Sequence, residues 1–239
     1  MDSGQAQQYA RIAGVLYLVS LVAGGIGESY IPQTLLIAND LAATAHKVAV
    51  SVGPFRASFG AYLIEACCDL TLTVLLYELL RPVSRVLSLL AAFFGLCSTA
   101  VFAAGEIFYF AAALPVVDAD VAKVVPAGAH ATITYLCLTI YGYVFGIFAV
   151  FYGVAAIVRG YLIVRSGYLP RALGAILMLG GLSFVAENVF SVFAPQSTPP
   201  YLIVPMIFAM VCMMLWFLVK GVDSRRWDEM QRREAVSGN

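Results

Sequence analysis

Residues 84–114 read SRVLSLLAAFFGLCSTAVFAAGEIFYFAAAL. Between Arg85 and Leu114 the single charged residue is Glu106. An α-helix rises about 1.5 Å per residue, so about 20 apolar residues cross the hydrocarbon core of a bilayer. This stretch therefore predicts a membrane-spanning helix with one carboxyl group inside the membrane.

Five other stretches have the same apolar character. Hydrophobic residues make up 62% of the 239 residues and charged residues 12%, whereas an average soluble domain carries about 25% charged residues. We predict an all-α fold in which residues 1–222 form a polytopic transmembrane helical bundle and residues 223–239 form a polar cytoplasmic tail. The six predicted spans cover approximately residues 10–30, 56–80, 84–114, 132–158, 171–194 and 200–221.

The first outer connection, residues 33–52, predicts a short interfacial helix in addition to the spans. Its pattern has Asn39 and Asp40 as helix caps and Gly53 as a stop. Between them, apolar residues recur at helical spacing, at Leu41, Ala45, Val48 and Val52.

Basic residues are distributed unequally between the two predicted sides of the membrane. The side with both termini carries 11 Lys and Arg residues, with Arg159 assigned to the loop between spans 4 and 5, and the other side carries 3. The positive-inside rule places both termini in the cytoplasm of a multi-pass protein of the cell membrane. We expect span 1 to be retained, because its apolar stretch continues past the small residues at Ala23 and Gly24.

Neither charge nor motifs indicate a nucleic-acid partner or a known catalytic site. The formal net charge is zero, so there is no basic footprint for nucleic acid. The five cysteines all fall in apolar segments without paired metal spacing, which is typical of small buried hydrophobic residues. The chain has no phosphate-binding glycine loop, no His-Glu-x-x-His and no nucleophile elbow.

Acidic residues inside the spans are the candidate functional groups. At about 1.5 Å per residue, Glu65, Glu106 and Glu187 lie roughly 10–14 Å from the outer ends of their spans, and Asp69 lies one turn deeper than Glu65. Each shares a helical face with hydroxyl-bearing residues, as Tyr62 does with Glu65 and Asp69. Polar stripes on apolar helices face neighbouring helices or a cavity, so we predict a polar pocket in the outer half of the membrane. Its candidate residues are Glu65, Asp69, Glu106 and Glu187, with Tyr62, with Glu28 near the outer end of span 1 and with His130 at the entrance.

Several functions fit such a pocket. Carboxyl and hydroxyl groups without an interior Lys or Arg favour a small-cation or proton-responsive binding or carrier protein. The same acids could instead hydrogen-bond between helices in a structural or accessory membrane subunit, whose pocket would suit a cationic lipid headgroup. A metal-dependent intramembrane hydrolase is a third hypothesis, with a divalent cation held by carboxylates and His130 or His46. The sequence favours a non-enzymatic role, requires no cofactor, and leaves the ligand and the oligomeric state open; the lipid bilayer is the one partner it implies.

Motifs spread over most of the chain resemble a bacterial family of unknown function, family 4386. The first is RIAGVLYL from Arg11, and others are Asp40 with the following Ala-Ala-Thr-Ala, Phe55-Arg56, and RPVSR from Arg81. The most specific is RSGYLPRALG, from Arg165 to Gly174. The resemblance implies an integral protein of the bacterial inner membrane without an assigned activity, and it transfers no catalytic residues. Gly95-Leu96 departs from the family pattern, which often has Arg-Leu there.

Overall fold

The computed structural model describes residues 1–30, 41–193 and 200–237, and this part of the chain contains helices and no β-strand. The helices are α1 (Ser3–Gly24), α2 (Leu41–Val50), α3 (Val52–Leu80), α4 (Arg85–Ala111), α5 (Leu114–Val117), α6 (Ala119–Val124), α7 (His130–Ser166), α8 (Arg171–Phe193), α9 (Val204–Val219) and α10 (Ser224–Ser237). Short π or 3₁₀ turns cover Gly25–Tyr30, Ala127–Ala129 and Pro200–Ile203.

Six of the described helices, α1, α3, α4, α7, α8 and α9, are long and apolar enough to cross a membrane. The prediction of a six-span helical membrane protein is therefore confirmed. One side of each helix remains apolar and exposed, as Leu63, Ile64 and Val74 are on α3. In a bilayer these side chains contact lipid, because hydrocarbon is the solvent that suits them.

The predicted short helix between spans 1 and 2 is also confirmed, as α2. Its proposed caps, Asn39 and Asp40, lie outside the described residues. Gly53 is not its stop, because α2 already ends at Val50 and Gly53 belongs to the first turn of α3. The reason is the following Pro54, which is compatible with the first turn of a helix, where its missing N–H is not needed.

Helix α7 is longer than predicted. It continues to Ser166 instead of ending near residue 158, and it is followed by Gly167 in the left-handed region with φ of 72°. The charged Arg159 indicated a loop, yet the helix includes it because apolar residues resume directly after it, at 161–164. The assignment of Arg159 to a cytoplasmic loop was wrong.

The chain divides into two compact units. Unit 1 comprises Met1–Val19, Cys68–Thr99 and Ile147–Asn239, and unit 2 comprises Ser20–Cys67 and Ala100–Gly146. The divisions fall within α1, α3, α4 and α7, so each of these helices contributes a segment to both units.

Glycines bring α7 and α8 close together in unit 1. A Cβ atom on Gly160 would lie 2.6 Å from the carbonyl oxygen of Gly174, and one on Gly153 would lie 2.7 Å from that of Gly181. Contacts this short are possible only without side chains. Small residues at such crossings let membrane helices gain van der Waals contact along their backbones.

The polar end of unit 1 ties the N-terminal and C-terminal segments together. The Gln7 side chain donates to the carbonyl of Lys220 at 2.9 Å and accepts from the backbone N–H of Val222 at 2.9 Å. Arg11 donates to the carbonyl of Leu218. These bonds satisfy backbone groups at the end of α9 that have no partner within that helix.

Within unit 1, helix α10 is anchored by a buried aromatic side chain. Trp227 is fully buried, and its ring meets that of Tyr168 edge-on, with centroids 4.9 Å apart. The Tyr168 hydroxyl donates to the carbonyl of Leu79 at 2.5 Å. The polar tail therefore has an anchored first half, which its charged composition did not indicate.

Unit 2 has its own apolar core beside the short helix α2. Val48 of α2, Phe55 of α3, and Tyr109 of α4 are all buried and pack together with Ala113. The Phe55 and Tyr109 rings stack with centroids 4.9 Å apart. This core positions the polar residues of α4 and α7 described next.

Candidate functional site

The polar stripes predicted on spans 2 and 3 lie largely on buried faces of their helices. On α3, Ser58, Tyr62 and Thr73 are buried, and Glu65 and Asp69 are half-buried. On α4, Thr99, Phe102, Glu106 and Tyr109 lie at helical spacing on one face, and all four are buried. The groups singled out from the sequence therefore face the protein.

Among the predicted carboxyl groups whose side chains the structure describes, Glu106 is the most buried. Its residue is 3% exposed, and the hydroxyl of Tyr141, on α7, is its hydrogen-bond partner. Two other aromatic rings lie close to Tyr141. The Tyr141 ring centroid is 5.3 Å from that of Tyr109 and 6.1 Å from that of Phe102. Glu106 thus lies in unit 2 in a largely aromatic environment.

Such surroundings restrict the states that Glu106 can adopt. An ionised carboxylate removed from water costs several kcal/mol unless an opposite charge or several hydrogen bonds compensate. The tyrosine hydroxyl supplies one hydrogen bond without a charge. The site therefore accommodates a neutral carboxylic acid, or a carboxylate that has a bound cation.

Tyr62 and Glu65 lie three residues apart on α3, in unit 2. The Tyr62 ring meets that of Phe102 edge-on, with centroids 5.0 Å apart. The Glu65 carboxyl group packs against α1 at Gly24, where an added Cβ would lie 2.5 Å from its Oε1 atom. Gly24 therefore provides the space that the Glu65 carboxyl group occupies.

The remaining predicted residues of unit 2 contribute less. His130 is half-buried at the start of α7, and its Nε2 atom lies 3.0 Å from the carbonyl oxygen of Val125. This contact closes the turn before α7. The backbone of Glu28 belongs to the π-helical turn after α1, and its side chain lies outside what the structure describes.

Glu187 and Asp69 belong to unit 1. Glu187 is half-buried, and its Oε2 atom is buried without a hydrogen-bond partner in the described part of the chain. The next residue, Asn188, is the more buried one and donates to the carbonyl of Phe184 at 2.9 Å. Sequence reasoning on span 5 selected the acid and passed over this amide.

Asp69 lines a small cavity of unit 1 together with a buried arginine. The residues around this cavity are Tyr17, Asp69, Leu72, Thr73, Gly95, Thr99, Tyr152 and Arg159. Arg159 is 6% exposed, and its Nη2 donates to the Thr73 hydroxyl at 3.2 Å. The expectation of an interior without Lys or Arg was wrong, because α7 carries Arg159 inside the span.

Arg159 is the main site residue that sequence reasoning missed. The signal that could have found it is the apolar run at 161–164, which extends the span past the charge. Tyr17 and Tyr152 were missed as well, because a tyrosine in an apolar helix is ordinary packing until its neighbours are known.

The described residues contain no group of three or more His, Cys, Asp or Glu side chains that could hold a metal ion together. The metal-dependent hydrolase hypothesis therefore gains no support from this part of the chain.

Comparison with known proteins agrees with the family resemblance. The family model described as Domain of unknown function (DUF4386) matches residues 12–221, so the chain belongs to this family. No curated protein and no solved structure matches it.

Proposed function

We propose that this DUF4386 protein is a proton- or small-cation-responsive membrane protein of the binding or carrier class, with Glu106 as its binding group. The observation that carries the proposal is the burial of the Glu106 carboxyl group beside the Tyr141 hydroxyl and aromatic rings. A carboxyl group in this environment stabilises the protein only when it is neutral or holds a cation. Binding of a proton or cation therefore changes the stability of the surrounding helices.

In the proposed orientation, both termini lie on the cytoplasmic side of the cell membrane. The end of α4 that carries Glu106 then lies in the outer half of the membrane. Once Arg159 is assigned to α7, the side with the termini has 10 Lys and Arg residues and the other side has 3. The asymmetry still satisfies the positive-inside rule. A proton or cation would then reach Glu106 from the outer side.

Thermal unfolding of the detergent-purified protein tests the proposal. The midpoint temperature is measured over a pH series and over a series of Li⁺, Na⁺, K⁺ and Mg²⁺ concentrations, for the parent and for Glu106→Gln. A ligand that binds only the folded state raises the midpoint as its concentration increases. Glu229→Gln is the matched control, because Glu229 is an exposed residue of α10.

We expect a pH- or cation-dependent midpoint in the parent and in Glu229→Gln, and a flat response in Glu106→Gln. Glu106→Asp keeps the acid and should retain part of the response. If Glu106→Gln responds as the parent does, the assignment is wrong. If neither protein responds and both copurify with one fixed protein, the accessory-subunit function replaces it.

A further inference from the structure

Arg159 is a buried charged group within the membrane-spanning helix α7. It lies seven residues before the end of α7 at Ser166, which is roughly 10 Å along the helix. A charged side chain at such a position faces the protein interior or a hydrated cavity and needs partners. The guanidinium has five N–H donors, and the Thr73 hydroxyl takes one of them.

Gly95 makes room for the guanidinium on α4. A Cβ atom at this position would lie 2.5 Å from the Arg159 Nη2 atom and 2.9 Å from the Thr73 hydroxyl oxygen. Any side chain here would displace one of these two groups. Gly95 therefore allows α4 to pack directly against the Arg159 guanidinium of α7.

The neighbouring cavity is lined by groups that suit water. Its volume is about 10 Å³, which is enough for a single water molecule. The Asp69 carboxyl group and the hydroxyl-bearing residues Thr99 and Tyr152 line it together with Arg159. Tyr17 lies close enough to interact electrostatically with both Asp69 and Arg159.

We propose that this cavity binds one water molecule that bridges the Arg159 guanidinium and the Asp69 carboxylate, forming a hydrated ion pair between α7 and α3. The carboxylate compensates the guanidinium charge, and the water satisfies donors that Thr73 does not reach. This site is independent of Glu106, so the two proposals can fail separately.

A double-mutant cycle tests the ion pair. Thermal unfolding in detergent is measured for Asp69→Asn, for Arg159→Met and for the double variant. Each single substitution leaves a buried guanidinium or a half-buried carboxylate without its counter-charge and should lower the midpoint by roughly 5–10 °C. The double variant should lose clearly less than the sum of the two. Additive losses would overturn the ion pair.

Infrared spectra in ordinary and heavy-oxygen water test the bridging molecule, and they use a substitution that keeps both charges. Gly95→Ala fills the space beside Arg159, whereas Gly60→Ala on α3 points into open space. After subtraction of the buffer spectrum, an O–H band of internal water that shifts in heavy-oxygen water should be present in the parent and in Gly60→Ala and missing in Gly95→Ala. The same band in all three proteins, or in none of them, would overturn the water site.

Discussion

Two side chains that are costly to bury, Glu106 and Arg159, each lie inside a membrane-spanning helix with a defined hydroxyl neighbour. Glu106 has the Tyr141 hydroxyl among aromatic rings. Arg159 has the Thr73 hydroxyl and a cavity that also contains Asp69. The first environment has no compensating charge among the described residues, as a proposed proton or cation site requires, whereas the second contains a carboxyl group near the guanidinium.

Removal of the Tyr141 hydroxyl should weaken the Glu106 site. Tyr141→Phe leaves the buried carboxyl group without its hydroxyl partner, which costs about 1–3 kcal/mol. The control is Tyr143→Phe, because Tyr143 is 69% exposed on the same helix. Unfolding of both variants in detergent is the measurement. Equal stabilities would show that the Tyr141 hydroxyl contributes nothing.

At the scale of the helices, contacts without side chains decide how α7 and α8 pack. Gly160 and Gly174 approach through their backbones, as do Gly153 and Gly181. Membrane helices have little hydrophobic driving force between them, so close backbone contact is a main source of their attraction.

Gly160→Ala should therefore destabilise the protein even though alanine is the better helix former. Its methyl group would meet the Gly174 carbonyl oxygen at 2.6 Å, and forcing the helices apart costs about 1–3 kcal/mol. Gly142→Ala on the same helix has open space around its Cβ. That control should be neutral or stabilising, because alanine gains about 1 kcal/mol in helix propensity. A stabilised Gly160→Ala protein would contradict the close crossing.

The tail helix α10 depends on Trp227. The buried Trp227 ring should protect the exposed Arg225 and Arg226 from trypsin by keeping the helix folded and docked. Trp227→Ala removes this contact, so cleavage after these arginines should become several times faster while the spans remain intact. Mass spectrometry of a digestion time course measures this. Unchanged cleavage would mean that the ring does not hold the tail.

At the scale of the whole molecule, the six spans could be predicted because each needs only a long apolar stretch, a local property of the sequence. The buried acids could be predicted for a related reason, since an ionisable residue in a span seldom faces lipid. Glu106 follows this rule most closely. The candidate pocket as a whole stays a prediction, since its residues divide between unit 1 and unit 2.

What the sequence could not give depends on neighbours from distant parts of the chain. Arg159 resembled a loop residue because its acceptor, Thr73, lies 86 positions away. Trp227 resembled a solvated tail residue because its ring contact, Tyr168, lies far away in the sequence, in the turn between α7 and α8. Neither contact produces a recognisable pattern in the sequence next to these residues. Because Arg159 is charged, the predicted end of span 4 came before the observed end of α7.

The orientation of the molecule can be tested with two single cysteines in a variant without the native ones. Ser224→Cys is in the exposed start of α10, and Ala122→Cys is in the exposed helix α6. A thiol reagent that does not cross membranes should label Ala122→Cys in intact cells and should label Ser224→Cys only after lysis. The opposite pattern would invert the proposed topology.

Infrared titration of Glu106 tests the central claim most directly. Spectra of the parent are recorded over a pH series and on addition of each cation, and those of Glu106→Gln are subtracted. We expect a buried carboxylic acid band that converts to carboxylate bands in the parent, with Glu229→Gln behaving as the parent does. A Glu106 signal that stays in one form under all of these conditions would contradict a proton or cation site at this residue.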